Sequence, residues 1–281
     1  MTKKTKKVTK SFNIESSGPR ICVIDIETSP IVLAEFGLYG EKSGNHKNIL
    51  ADWYIISAAW KMLGDKETQA VSVLDAPKAF KADPHDDEVV VRKLHEVLSS
   101  VDIICGHNIS KFDWPKINTR FIKLGLPPIA KARHIDTYRV AKREFNFTSN
   151  RLDYIGEYLG LGGKMETPKG LWLQAIRGDA EAIKVMVEYN KQDVELTEKV
   201  YLALRPFDTA HVNMAVVDHD GACACPKCTS ENLQKRGYSY TTTGKFQRYQ
   251  CTDCGGWSRG RDNLLSARNN GGVKPNLTSS S

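Results

Sequence analysis

No apolar run in this 281-residue chain is long enough to cross a membrane and no secretory leader is recognisable, so a protein of the reducing cytoplasm is expected. Cysteine is sparse. Of the seven, four fall in two Cys-x2-Cys pairs, which leaves nothing for a disulfide framework. Cys22 and Cys105 lie in apolar stretches and read as small core residues, while Cys223 is a spare thiol that could compete as a metal ligand. Internal repeats are absent. The length suits one catalytic domain and one small module.

What the chain does hold is acidic residues in unusual company. The run Ile21-Cys22-Val23-Ile24-Asp25-Ile26-Glu27-Thr28 is β-branched and reads as a buried strand, yet it carries two carboxylates. Side chains alternate along a strand, so Asp25 and Glu27 project from one face. Like charges roughly 6 to 7 Å apart repel by about 2.5 kcal/mol at an effective dielectric near 20. A hard divalent cation such as Mg2+ or Mn2+ would offset that; the alternative is that both acids sit in solvent past the strand's end.

Two further sites follow. Gly106-His107-Asn108 succeeds an apolar stretch over 101–105, and Phe112-Asp113-Trp114-Pro115 opens a helical pattern. Asp113 could be a helix cap, which would not explain the Gly-His-Asn turn before it. Tyr189 and Asp193, four residues apart, share one face if the segment is helical. Reading every one of these acids as solvated would require the same coincidence at three separate sites.

In order, these motifs resemble those of the DEDD superfamily of 3'-5' exonucleases, in the branch with tyrosine in its third motif, whose fold is RNase H-like. The segments 56–60, 134–137 and 152–155 are also similar to the proofreading-like members. The resemblance covers about residues 18 to 206; the stretch 31–52 does not align. It implies two Mg2+ or Mn2+ ions, with Asp25 bridging both, Glu27 and Asp193 completing the first site, and Asp113 supporting the second, partly through water. It makes Tyr189 the group that aims the attacking water, sets Thr28, His107 and Asn108 beside the terminal nucleotide, and leaves Asp136 a supporting or structural role. A turn packed by side-chain hydrogen bonds is an equal reading of His107 and Asn108. No polymerase motif set accompanies these, so any proofreading would be supplied in trans.

The coarse pattern agrees. Strands are expected over 20–27, 54–62, 68–75, 102–106 and 133–136, and helices over 86–98, 114–124 and 137–145. Residues 179–204 are helical, with a break at Tyr189-Asn190 left open. Three strands followed by alternating helix and strand make an α/β fold, a mixed sheet flanked by helices.

Cys225-Pro226-Lys227-Cys228 and Cys251-Thr252-Asp253-Cys254, with 22 residues between them, form the two knuckles of a zinc ribbon, four thiolates for one structural Zn2+. So small a module cannot bury an adequate core, and metal binding supplies much of its folding free energy. From Cys223 to Arg261 seven basic side chains stand against Glu231 and Asp253, and five lysines crowd positions 3 to 10. Because the whole chain is only +7, the body between is slightly acidic. In the module, basic residues such as Lys245 and Arg248 alternate with Tyr238, Tyr240, Phe246, Tyr249 and Trp257, a mixture suited to phosphate contact and base stacking. The 244–251 segment also resembles ribbons of transposases and other DNA-handling proteins, although such modules also dock replication proteins.

The organisation expected is a basic disordered tail (1–17), an RNase H-like exonuclease domain (18–208), a linker (209–222), the ribbon (223–261) and a second disordered tail (262–281). Single-stranded DNA 3' ends are the favoured substrate. RNA ends are the alternative, since the acids do not read the sugar. A non-catalytic nucleic-acid-binding or regulatory protein is the third reading, against which the intact acids argue. By analogy, the arrangement suits a phage or mobile-element replication gene.

Overall fold

The computed structural model describes residues 19–34, 46–130, 132–163, 165–218 and 223–265. The tail over 1–17 and nearly all of the second tail lie outside these residues. Strand β1 (Ile21–Thr28) leads to two short strands that pair with each other, β2 (Val32–Leu33) and β3 (Ile49–Ala51), and then to β4 (Ile55–Met62) and β5 (Gln69–Ser72). Helices α1 (Pro77–Ala82) and α2 (Glu88–Leu98), strand β6 (Ile103–Gly106), helix α3 (Asp113–Lys123), strand β7 (Arg133–Asp136) and helix α4 (Thr137–Glu144) come next. Four more helices follow: α5 (Leu152–Tyr158), α6 (Leu171–Ile176), α7 (Ala180–Leu204) and α8 (Ala215–Asp218). The module contributes β8 (Leu233–Tyr240), β9 (Lys245–Cys251) and β10 (Trp257–Arg259).

The body is built on one five-stranded sheet, ordered β5-β4-β1-β6-β7. The pairs β5–β4 and β4–β1 are antiparallel, whereas β1–β6 and β6–β7 are parallel. This is the expected mixed sheet with helices on its faces, an RNase H-like α/β fold. The third strand ends earlier than its apolar pattern suggests. Ser72 accepts from the Leu74 N–H and Asp75 reaches back to the Ser72 N–H, and this capping box turns 73–75 into a single 3-10 turn.

Strand β1 separates two cores. Cys22, Ile24 and Ile26 point into the larger, with Leu94 and Leu98 of α2 and Ile117 and Phe121 of α3. Each fully buried isoleucine there contributes roughly 2 to 3 kcal/mol. Ile21 and Val23 point the other way, against Val194 and Tyr201 of α7. Asp25 and Glu27 continue this second row, so the strand's period of two delivers both carboxylates to the side of α7.

Asp179 starts α7 by accepting from the Glu181 and Ala182 N–H groups, and the helix then runs unbroken through Tyr189 and Asn190 to Leu204. It is pinned to β4 twice, by the Ser57 hydroxyl donating to the Asn190 side chain at 3.3 Å and by the Lys61–Glu198 ion pair at 2.5 Å. The eight-residue step from Asn190 to Glu198 spans ~12 Å of helix, and Asp193 lies within it.

Residues 209–218 lie along the body. Val212 and Met214 pack against the Tyr201 cluster, and the Tyr201 hydroxyl is 3.1 Å from His211 Nε2. The module docks beside them: the Met214 N–H donates to the Pro226 carbonyl, and Lys227 Nζ donates to the Pro206 carbonyl at 2.6 Å. Its three strands form an antiparallel sheet, ordered β10-β9-β8. Residues 263–265 stay with it, since the Lys245 N–H donates to the Asn263 side chain.

Candidate active site and cysteine centre

Asp25, Glu27 and Asp193 converge. One oxygen from each lies within 4.8 Å of the others, although Asp193 is more than 160 residues away in the chain. Three negative charges at that spacing repel pairwise by about 3 kcal/mol at an effective dielectric near 20. The hard oxygen donors suit Mg2+ or Mn2+, whose charge offsets that repulsion. Asp25 is held in place by a neighbour that sequence reasoning missed. The fully buried Asn190 donates from Nδ2 to Asp25 Oδ2 at 2.6 Å and accepts from Ser57 through its own oxygen. The available signal was a polar residue three positions before Asp193, and so on nearly the same helix face.

Asp113 stands just outside the converging group. It is the first residue of α3 and 2% exposed, and the N-cap before it, Phe112, makes no side-chain capping bond. Its Oδ1 accepts the Ile26 N–H at 3.2 Å. Pairing of β1 with β6 stops at Val23 and Cys105, so the Ile26 N–H has no partner from β6 and the carboxylate takes it. The carboxylate is thereby tied to the strand that bears Asp25 and Glu27.

Burial pushes the Asp113 carboxyl up to about 7, against the lowering effect of the Ile26 N–H. A folded-state pKa above the ordinary 3.8 means that the folded chain keeps a proton the unfolded chain has released. Stability from this group is therefore full below about pH 4 and declines as pH rises toward 7. A divalent cation held beside it would compensate once the carboxyl ionises. We expect the rise in melting temperature caused by Mn2+ to be larger at pH 8 than at pH 6. An equal rise at both values would show that Asp113 is uncoupled from cation binding.

The Gly-His-Asn turn positions the next wall. A β-carbon at Gly106 would sit 2.9 Å from that of Ile109 and 3.2 Å from the Ile24 carbonyl, so close packing rather than backbone angle requires glycine. Asn108 takes the left-handed conformation, φ 64°. Asp136 fixes the turn: it caps α4 through the Arg139 N–H and accepts the Asn108 and Ser110 N–H groups at 3.0 and 3.2 Å. His107 is engaged at both ring nitrogens, with the Thr137 hydroxyl and the Asn150 carbonyl, each 2.9 Å away.

A cavity of about 280 Å3 opens beside these groups, lined by Asp25, His107, Asn108 and Asp193 together with Tyr138 and Asp153. Tyr138 and Asp153 belong to α4 and α5, whose part in the site was not legible from motif spacing. Tyr189 lies one turn before Asp193 on α7, half-buried, its ring edge-on to Trp172 at 6.2 Å. Thr28 ends β1, after an irregularity in its pairing with β4.

The four module cysteines also come together. Cys225, Cys228, Cys251 and Cys254 bring their sulfurs within 4.8 Å of one another, while Cys223 is exposed and stays outside. Both knuckles share one geometry. Thr229 and Gly255, each following a second cysteine, have φ of 62° and 75° and donate their N–H to the carbonyls of Cys225 and Cys251. Four sulfurs gathered this closely suit a structural metal ion, compatible with a zinc ribbon. Lys245 and Arg248 lie on β9. Lys245 Nζ is 3.9 Å from the Tyr238 ring centre, and the Arg248 guanidinium is 4.7 Å from that of Trp257.

The sheet, its flanking helices and the carboxylate cluster at the end of β1 define an RNase H-like fold with a candidate metal site. A family model for the RNase_H superfamily matches residues 62–205, half of the chain, and the chain belongs to that superfamily. Among solved structures, it is similar to the family B DNA polymerase from the hyperthermophilic archaeon Pyrobaculum calidifontis. The identity is 18% and the TM-score 0.49, over 72% of this chain and 27% of the polymerase. The chain thus spans about a quarter of that polymerase's length. No curated protein matches it. No helix among the described residues is long and apolar enough to cross a membrane.

Proposed function

We propose that the chain is a metal-dependent 3'-5' exonuclease that trims single-stranded DNA by a two-metal-ion mechanism, with a zinc ribbon that grips nucleic acid. The convergence of Asp25, Glu27 and Asp193, with Asp113 tied to the same strand, carries this reading. Asp25, Glu27 and Asp193 would hold the first Mg2+ or Mn2+ and Asp113 would support the second through water. When bound, such ions lower the pKa of the attacking water and stabilise charge on the leaving oxygen. Asn190 keeps Asp25 in its ligating orientation. Tyr189, one turn from Asp193, hydrogen-bonds and aims the water, while His107, Asn108 and Thr28 border the terminal nucleotide.

Digestion of end-labelled single-stranded DNA, duplex DNA and RNA with Mg2+ or Mn2+, comparing the intact chain with Asp25→Ala, tests class and substrate together. Mononucleotides released from the 3' label, and lost in the variant, are expected for single-stranded DNA. Preferential release from RNA would move the substrate to RNA. No release from any of them would end the exonuclease reading.

Tyr189→Phe keeps the ring against Trp172 and removes only the hydroxyl. We expect it to bind substrate as before and to hydrolyse it ~10²-fold more slowly, in line with losing one positioned proton-handling group. Single-turnover measurement reads this directly, and wild-type rates would take Tyr189 out of the chemistry.

In the ribbon, Lys245 and Arg248 supply cations to the phosphates and the exposed Tyr240 and Trp257 supply faces for stacking. Docking to a replication protein competes with this role, and unchanged DNA affinity after deletion beyond Asp220 would favour it.

A further inference from the structure

Helix α4 presents Tyr138, Arg139, Lys142 and Arg143 outward. At 3.6 residues per turn, Tyr138 stacks on Lys142 and Arg139 on Arg143, while Thr137, Val140 and Ala141 are buried on the opposite side. Lys111, from the turn before α3, lines the same trough. Arg143 is paired with Glu144 and Asp208, but Lys111, Arg139 and Lys142 are exposed and make no ion pair with any described residue. Three uncompensated cations on one face are not explained by composition, because the body as a whole is slightly acidic.

Their position points to a ligand. The trough shares Tyr138 with the carboxylate cavity at one end. At the other it shares Ser110, Arg139 and Arg143 with a hollow that reaches Asp208. Asp208 in turn borders the cleft where Lys227, Trp257 and Arg259 of the ribbon face the body. Four neighbouring hollows, each sharing a lining residue with the next, therefore lie in succession from the carboxylates, past the cations of α4, to the aromatic and basic edge of the ribbon. A polyanion laid along them meets positive charge in the middle and a stacking face at the far end.

We propose that the outer face of α4, with Lys111, is the track for the phosphodiester backbone of a single strand, carrying it from the carboxylate cavity to the ribbon. This rests on the nuclease reading of the cavity for the position of the strand's 3' end. The cations act on phosphate and not on bases, so the track is indifferent to sequence.

The test uses the full chain with zinc bound, Ca2+ in place of Mg2+ to hold back hydrolysis, and a labelled single-stranded oligonucleotide long enough to reach the ribbon. Affinity is measured by anisotropy over a range of salt. Arg139→Ala/Lys142→Ala removes two phosphate contacts, so its dissociation constant should rise on the order of tenfold and its salt slope become shallower by about 1.4. A control pair, Arg92→Ala/Lys93→Ala on α2, makes the same charge change on the opposite face of the sheet. It should leave affinity and slope unchanged. Wild-type binding by the α4 variant, or an equal loss in the control, overturns the track. If the wild type binds but cleaves nothing with Mg2+ or Mn2+, the track stands whenever the α4 variant weakens binding, and only the catalytic reading falls. If the wild type cleaves while the α4 variant binds normally, the reverse holds.

Discussion

Asp25→Asn is expected to lower 3'-end hydrolysis by at least ~10³-fold, the loss anticipated when a group holding the catalytic ions is neutralised. The same change should leave the metal-free protein at least as stable as the wild type. Asparagine still offers an oxygen to Asn190, so that buried amide keeps its acceptor. Meanwhile one of three negative charges crowded within 4.8 Å disappears, relieving about 3 kcal/mol of repulsion from each neighbour. Lost activity joined to retained or increased melting temperature is the mark of a functional rather than structural residue. The rise in melting temperature caused by Mn2+ should shrink in parallel. Undiminished hydrolysis would place the chemistry elsewhere, and a large fall in metal-free stability would make Asp25 a structural residue.

The second large effect concerns the cysteine centre. The intact chain should carry one zinc ion, and stripping it or making Cys251→Ser should unfold the ribbon alone, since structural zinc contributes roughly 10 to 16 kcal/mol in small modules. Cys251 is buried and its sulfur lies 3.6 Å from that of Cys228, so serine loses both a thiolate and a packed atom. The body has its own cores and should melt near its wild-type temperature. Affinity for single strands should fall, because the aromatic edge and the Lys227 contact to Pro206 go with the module. Metal analysis together with two-transition calorimetry checks this. A chain that keeps its ribbon signals without zinc would show a module that folds by packing alone.

Much of this was readable in the chain because the signals are local. The alternation in Ile21–Thr28 placed Asp25 and Glu27 on one face without reference to any partner, and the four-residue spacing of Tyr189 and Asp193 put them on one helical turn. The paired cysteines pointed, through ligand type and spacing, to the four sulfurs that the fold brings together. Other features depended on segments distant in sequence. The left-open break at Tyr189-Asn190 is absent because Ser57 and Glu198 contacts hold α7 against β4 on both sides of the site. That Asp113, grouped with the other acids by its motif, accepts the Ile26 N–H depends on the early end of the β1–β6 pairing. Asn190 shares a helix face with Asp193, but its bond to Asp25, 165 residues away, is a tertiary contact.

The sequence alone thus determined which atoms were on offer: carboxylates on one strand face, a phenol and an acid on one helix turn, four thiols in two knuckles. Periodicity and spacing act within a few residues, and there they suffice. Only the tertiary structure decided that the distant acids meet, that Asn190 holds one of them, and that α4 lies between the cavity and the ribbon. Those outcomes arise from two cores packing on opposite faces of β1, a long-range cooperation that no local pattern encodes.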